Sequence, residues 1–129
     1  MVLPDDVRAL LDGPNTAHFA SVLADGAPHS APVWVGLEQE RIAVLTSPSS
    51  VKARNVERHP RVAISLTARD DPFTMATVRG RVIERLDGLP AWAIIDRISE
   101  KYTGAPYSER TDRVVYLIDV EHARAQAFG

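Results

Sequence analysis

Six strand-like runs, closely spaced and separated by turn residues, limit this chain to a small set of folds. The runs are 16–23, 28–37, 41–46, 61–67, 73–86 and 113–120, each rich in β-branched or alternating apolar residues. Asp25-Gly26 between the first two is a hairpin signal. Pro28 and Pro32 flank Val33-Trp-Val35, which marks the second run as an edge or a bend. Gly80, inside the long fifth run, predicts a bulge or a close backbone approach. Its neighbours Arg79 and Arg81 are expected to point outward.

Helical patterns are fewer. Residues 4–11 pair Pro4 and two acidic residues with apolar Val7, Leu10 and Leu11, then stop at Gly13. After Gly88 and Pro90, residues Ala91, Ile94, Ile95, Ile98 and Tyr102 fall at helical spacing. A parallel α/β sheet needs a crossover between most strands, which this pattern does not supply. The expected fold is mainly β (α+β): a six-stranded antiparallel barrel or sandwich with peripheral helices.

At 129 residues, 45% of them apolar, the chain suits one domain spanning 1–129. No apolar stretch approaches the roughly 18 residues of a membrane span. The start, Met1-Val-Leu-Pro-Asp-Asp6, lacks the pattern of a secretory signal. The absence of cysteine excludes disulfides and thiolate chemistry, and it fits a cytoplasmic location. A net charge of −2 argues against a general nucleic-acid binder, and the four histidines show no metal spacing.

One segment departs from that mild acidity. Between the third and fourth runs lie Ser47, Ser49 and Ser50, then a short helix candidate ending before Pro60. From Lys52 to Arg61 it carries four cations (Lys52, Arg54, Arg58, Arg61) against one anion, Glu57. Hydroxyls, free helix N–H groups and cations together form an anion site, and a phosphorylated small molecule suits them. The same residues also have plainer readings. Lys52 and Arg54 can be solvated helix cations, Asn55 a brace, Ser47 and Ser50 turn formers beside Pro48, and Trp34 interface packing. Tyr102 and Tyr107 either line a substrate mouth or shield a core edge; His29 and His59 read as structural.

The order of these pieces resembles a known family. Ser21-Val-Leu-Ala-Asp-Gly-Ala-Pro-His-Ser-Ala-Pro-Val-Trp34, Val44-Leu-Thr-Ser47, Lys52-Ala-Arg-Asn55, His59-Pro-Arg-Val62 and Thr77-Val-Arg-Gly80 are similar to the flavin-binding split barrels named for pyridoxamine 5′-phosphate oxidase. Within that superfamily the chain looks like the small reductases that use the deazaflavin coenzyme F-420. The resemblance implies a homodimer with cofactor held between subunits, a small-molecule substrate, and no membrane or nucleic-acid partner. It implies Lys52 and Asn55 at the cofactor phosphate, with Thr46, Ser47 and Ser50 adding hydroxyls and Arg54 facing the anionic F-420 tail. Pro32, Val33 and Trp34 would face the ring, with Met75 and Thr77 reaching it from the long strand.

Two departures refine the expectation. The tail Ala123-Arg-Ala-Gln-Ala-Phe-Gly129 lacks the Arg-Leu-x-Pro type motif of the vitamin oxidases, so that activity is not expected. Ser50 stands where close F-420-binding relatives often carry arginine, which keeps FMN as the alternative cofactor. A non-catalytic flavin, deazaflavin or haem binder is the reading from a different class. Either oxidoreductase reading assigns no catalytic side chain and no metal, because the cofactor carries the chemistry.

Overall fold

The computed structural model describes residues 1–127; Phe128 and Gly129, the last two of the C-terminal tail, lie outside the described residues. The chain opens with helix α1 (Asp5–Asp12), whose acidic Asp5 and Asp6 sit at its positive end and whose Val7, Leu10 and Leu11 are buried. Strands β1 (Ala17–Val22) and β2 (Pro28–Val33) form the expected hairpin. Gly26 takes φ +89° there, and the Asp25 carboxylate accepts from the Ala27 N–H at 3.0 Å. Then follow β3 (Val35–Glu38), β4 (Arg41–Thr46), α2 (Val51–Arg58), β5 (Arg61–Ala68), β6 (Asp71–Leu86), α3 (Gly88–Thr103) and β7 (Val114–Ala127).

Seven strands, not six, make one antiparallel sheet in the order β2-β1-β5-β6-β7-β4-β3. The difference lies at Trp34. Residues 28–37 were expected to form one strand, but Val33 pairs with Ala17 of β1 while Val35 pairs with Val44 of β4. Those partners lie in β1 and β4, each one strand in from an opposite edge of the sheet. A single residue therefore joins its two outermost strands, which requires the sheet to curl until its edges approach. Alternation along the chain shows a strand, but not which neighbour each half will take.

The curl encloses the core. From α1, Val7 and Leu11 are fully buried with Val35 and Ile42 and, at 2% exposure, Phe19 and Ile64. At about 1.5–3 kcal/mol for each large apolar side chain buried, this cluster is the main driving force for closure. Strands β4 and β7 are covered on both faces. Ile42, Val44, Tyr116 and Ile118 point inward, whereas Ala43, Val115 and Leu117 pack against Ala91, Ile94, Ile95 and Ile98 of α3. That second layer places α3, and the residues that end it, beside Trp34.

Two further expectations meet the structure. The ladder between β6 and β7 shifts register between Arg79 and Gly80, where the bulge was predicted, and Arg79 and Arg81 are exposed. The last strand runs to Ala127, past the expected Val120, because the outer half of β6 supplies it with partners from Arg79 to Thr74.

Candidate functional site

The turn from β4 into α2 is closed by its own hydroxyls. Ser50 caps the helix, its Oγ accepting from the Ala53 N–H at 3.1 Å, while Thr46 Oγ1 donates to Ser50 Oγ at 2.8 Å. Ser47 Oγ lies 3.1 Å from Ser49 Oγ, and the Ser50 N–H donates to the Ser47 carbonyl. The capping arrangement leaves the first N–H groups of α2, at Val51 and Lys52, without intrahelical acceptors.

The two cations of the first turns behave differently. Positions two apart on a helix face apart. Exposed Arg54 donates from Nη1 back to the Ser49 carbonyl at 2.9 Å, tying the loop to the helix. Lys52 is half-buried, and burial pushes its ammonium below the ordinary lysine range. Among the described residues it has no hydrogen-bond or ion-pair partner. The other lysine, Lys101, is bonded to two carbonyls.

Lys52 borders a concavity of about 370 Å³ lined also by Thr16, Pro32, Val33, Trp34, Leu45 and Tyr107. Four residues expected at a cofactor, Lys52, Pro32, Val33 and Trp34, thus meet in one place. Trp34 forms an aromatic wall: Tyr102 stacks parallel to it, centroids 5.1 Å apart and planes 6° apart, and Tyr107 meets it edge-on at 6.1 Å. A cation and a flat apolar surface thus border the same cavity. It suits a ligand with an anionic group attached to a planar ring.

The remaining expected residues lie elsewhere. Asn55 is 2% exposed; its Nδ2 donates to Ser21 Oγ at 3.0 Å and its Oδ1 accepts from Arg58 Nη2 at 3.0 Å. It braces α2 against β1, and the amide has partners at both ends. Thr46, Ser47 and Ser50 sit in the capping turn described above. Thr77 borders a second, larger concavity of about 550 Å³ on the outer face of the sheet, with His18, Ser30, Ser65, Arg79, His122 and Arg124 among its lining residues. Met75 lies one step further along the same side of β6, paired with Gln126. The two concavities flank edge strand β2, because Pro32 borders one and its register partner His18 the other.

Thr16 and Leu45 were not singled out from the sequence. Leu45 alternates with the inward Val44, so its outward direction follows from strand period, but the cavity beneath it does not. No group of three or more His, Asp or Glu side chains able to hold a metal occurs among the described residues. Nor is any helix among them long and apolar enough to cross a membrane.

A curled antiparallel sheet whose two outermost strands are joined through Trp34 defines the class: a split barrel. The chain belongs to the pyridoxamine 5′-phosphate oxidase family, whose profile matches residues 3–127. Among solved structures it is similar to an F420 reductase, with 26% identity and a TM-score of 0.83 over 95% of this chain and 98% of that one. A conserved hypothetical protein from Mycobacterium tuberculosis matches with 24% identity and a TM-score of 0.77, over 98% and 86% of the two chains. A heme binding protein from Mycobacterium smegmatis shares the fold at 22% identity and a TM-score of 0.73, over 99% of this chain and 56% of that one. A sequence comparison with curated proteins finds no match.

Proposed function

We propose that this protein is an F-420-dependent reductase acting on an electron-poor small molecule such as an activated C=C bond. The observation that carries the reading is Lys52, a half-buried cation beside the Trp34 wall with no partner among the described residues. Partial burial of an unpaired ammonium carries a cost that a ligand's countercharge would offset. In this reading Lys52 and the free amides at the start of α2 hold the phosphate, while Pro32, Val33 and Trp34 face the ring. The bound deazaflavin supplies the hydride; the chain's residues fix the ring, leave one face open to substrate and exclude water. Likeness to an F420 reductase at 26% identity supports this choice of cofactor.

In the dimeric form of this reading, the separation of Thr77 and Met75 from Lys52 within one chain has an explanation. A second copy would bring the outer sheet face of one subunit to the seam of the other, completing the ring site from both. The absence of cysteine is in keeping with a cytoplasmic protein.

FMN is the alternative, favoured by Ser50. That residue stands where arginine is frequent in F-420-binding relatives, and its hydroxyl is committed to the helix cap. Titration of purified protein with F-420, followed by fluorescence, and with FMN, followed by absorbance, separates the two. Failure to bind either at micromolar concentration removes the proposal. Binding without turnover across a panel of enones, quinones and nitro compounds would instead mark a cofactor carrier.

A further inference from the structure

Helix α3 grips the seam of the sheet at two points, the backbone after Trp34 and the indole itself. Tyr102 Oη accepts from the Val35 N–H at 3.2 Å and donates to the Asn15 carbonyl at 2.6 Å. Its neighbour Lys101 donates from Nζ to the Val35 carbonyl at 2.5 Å and to the Leu11 carbonyl at 2.9 Å. Both polar backbone groups of the residue following Trp34 are therefore held by consecutive side chains of α3. The Tyr102 ring then lies flat against the indole. Trp34 also meets Tyr107 edge-on and packs against the α3 cluster, but Tyr102 is the contact that joins its ring plane to the backbone of the seam.

From this geometry we infer that Tyr102 is a positioning residue of the Lys52 cavity, fixing the plane of the Trp34 indole that a bound ring meets. Tyr102 touches no ligand in this scheme; it acts through Trp34 and Val35. The inference rests on the cofactor reading above for the ligand, but its structural half stands without one.

Tyr102→Phe keeps the stacked ring and removes both hydrogen bonds, so it separates anchoring from packing. In a Trp92→Phe background, where Trp34 is the remaining indole, the near-ultraviolet circular dichroism band of the unliganded protein is expected to shrink. Affinity is then compared for each cofactor and its phosphate-free ring system: F-420 against the deazariboflavin core, FMN against riboflavin. Tyr102→Phe is expected to weaken both members of a pair by one common factor, roughly fivefold to tenfold. Lys101→Met, which leaves the Trp34–Tyr102 ring pair in place while freeing the Val35 carbonyl, is expected to move both readouts in the same direction.

An unchanged dichroism band overturns the inference, as does weakening confined to the phosphate-bearing form, which would place the effect at Lys52. A changed band with unchanged affinities overturns it too. Should the parent protein bind none of the four ligands, the cofactor proposal fails, and the dichroism arm alone decides whether Tyr102 sets the indole.

Discussion

A Cβ added to Gly80 would stand 2.2 Å from the carbonyl oxygen of Asp119, far inside any tolerable contact. The two backbones approach where the β6–β7 ladder shifts register, and the obstacle is main chain, which cannot swing aside. Here glycine is required for room. Gly80→Ala should destabilise the protein by about 3 kcal/mol, read as the shift of a urea unfolding curve. A change within about 0.5 kcal/mol would mean that the bulge relaxes freely.

Asn55 offers a second stability test. Its amide fills the bonding needs of buried Ser21 and anchors Arg58, which also donates to the Val22 carbonyl at 3.1 Å. Asn55→Ala leaves the Ser21 hydroxyl buried without that partner, a loss of about 1–3 kcal/mol. The expected outcome is a lower melting temperature with cofactor affinity retained in the folded protein. A large affinity loss with unchanged stability would put Asn55 at the ligand instead.

Lys52 and Arg54 should respond differently to removal. Lys52→Ala is expected to weaken binding of F-420 or FMN between roughly tenfold and a hundredfold, as loss of a charge-assisted contact does. Folding should change little, because Lys52 makes no hydrogen bond or ion pair among the described residues. Arg54→Ala removes an exposed loop tie, and its effect on calorimetric affinity should be much smaller. Equal losses would argue for a diffuse cationic field over a defined phosphate seat.

Lys101 makes stability depend on pH. Burial lowers its pKa to about 8 from the ordinary 10.5. Between those values the unfolded chain holds more protons than the folded one, so stability rises with pH across that window. The half-buried amine is still partly solvated, which damps the slope. Lys52 is shifted in the same direction by burial and adds to it. Urea midpoints from pH 8 to 10.5 should therefore climb more steeply for the parent than for Lys101→Met. Parallel curves would show that the ammonium stays hydrated.

These tests fall on features that differ in how far local sequence foretells them. Asp25-Gly26, the α1 stripe of Val7, Leu10 and Leu11, and the bulge at Gly80 each follow from residues within one turn or one strand. The Ser50 cap and the cations of α2 are equally local, since a helix start needs an acceptor three residues back. The extension of β7 is not, because Glu121 to Ala127 alternate polar residues only with alanine, a weak strand former, and become a strand when β6 lies alongside. The same distinction divides Lys52 from Asn55. They sit three residues apart on one helix, yet contacts with β1, more than 30 positions earlier, bury one amide internally.

Backbone preference and side-chain period are short-range properties, so the linear chain was enough to establish an antiparallel barrel class, its turns and a cationic helix after the third strand-like run. Closure is long-range. The split of residues 28–37 about Trp34, the convergence of Lys52 with Trp34 and Tyr107, and the hold of Tyr102 on Val35 arise only when strands far apart in sequence become neighbours. Which edge a strand joins depends on the free energy of enclosing the whole core, and no window of neighbouring residues contains that quantity.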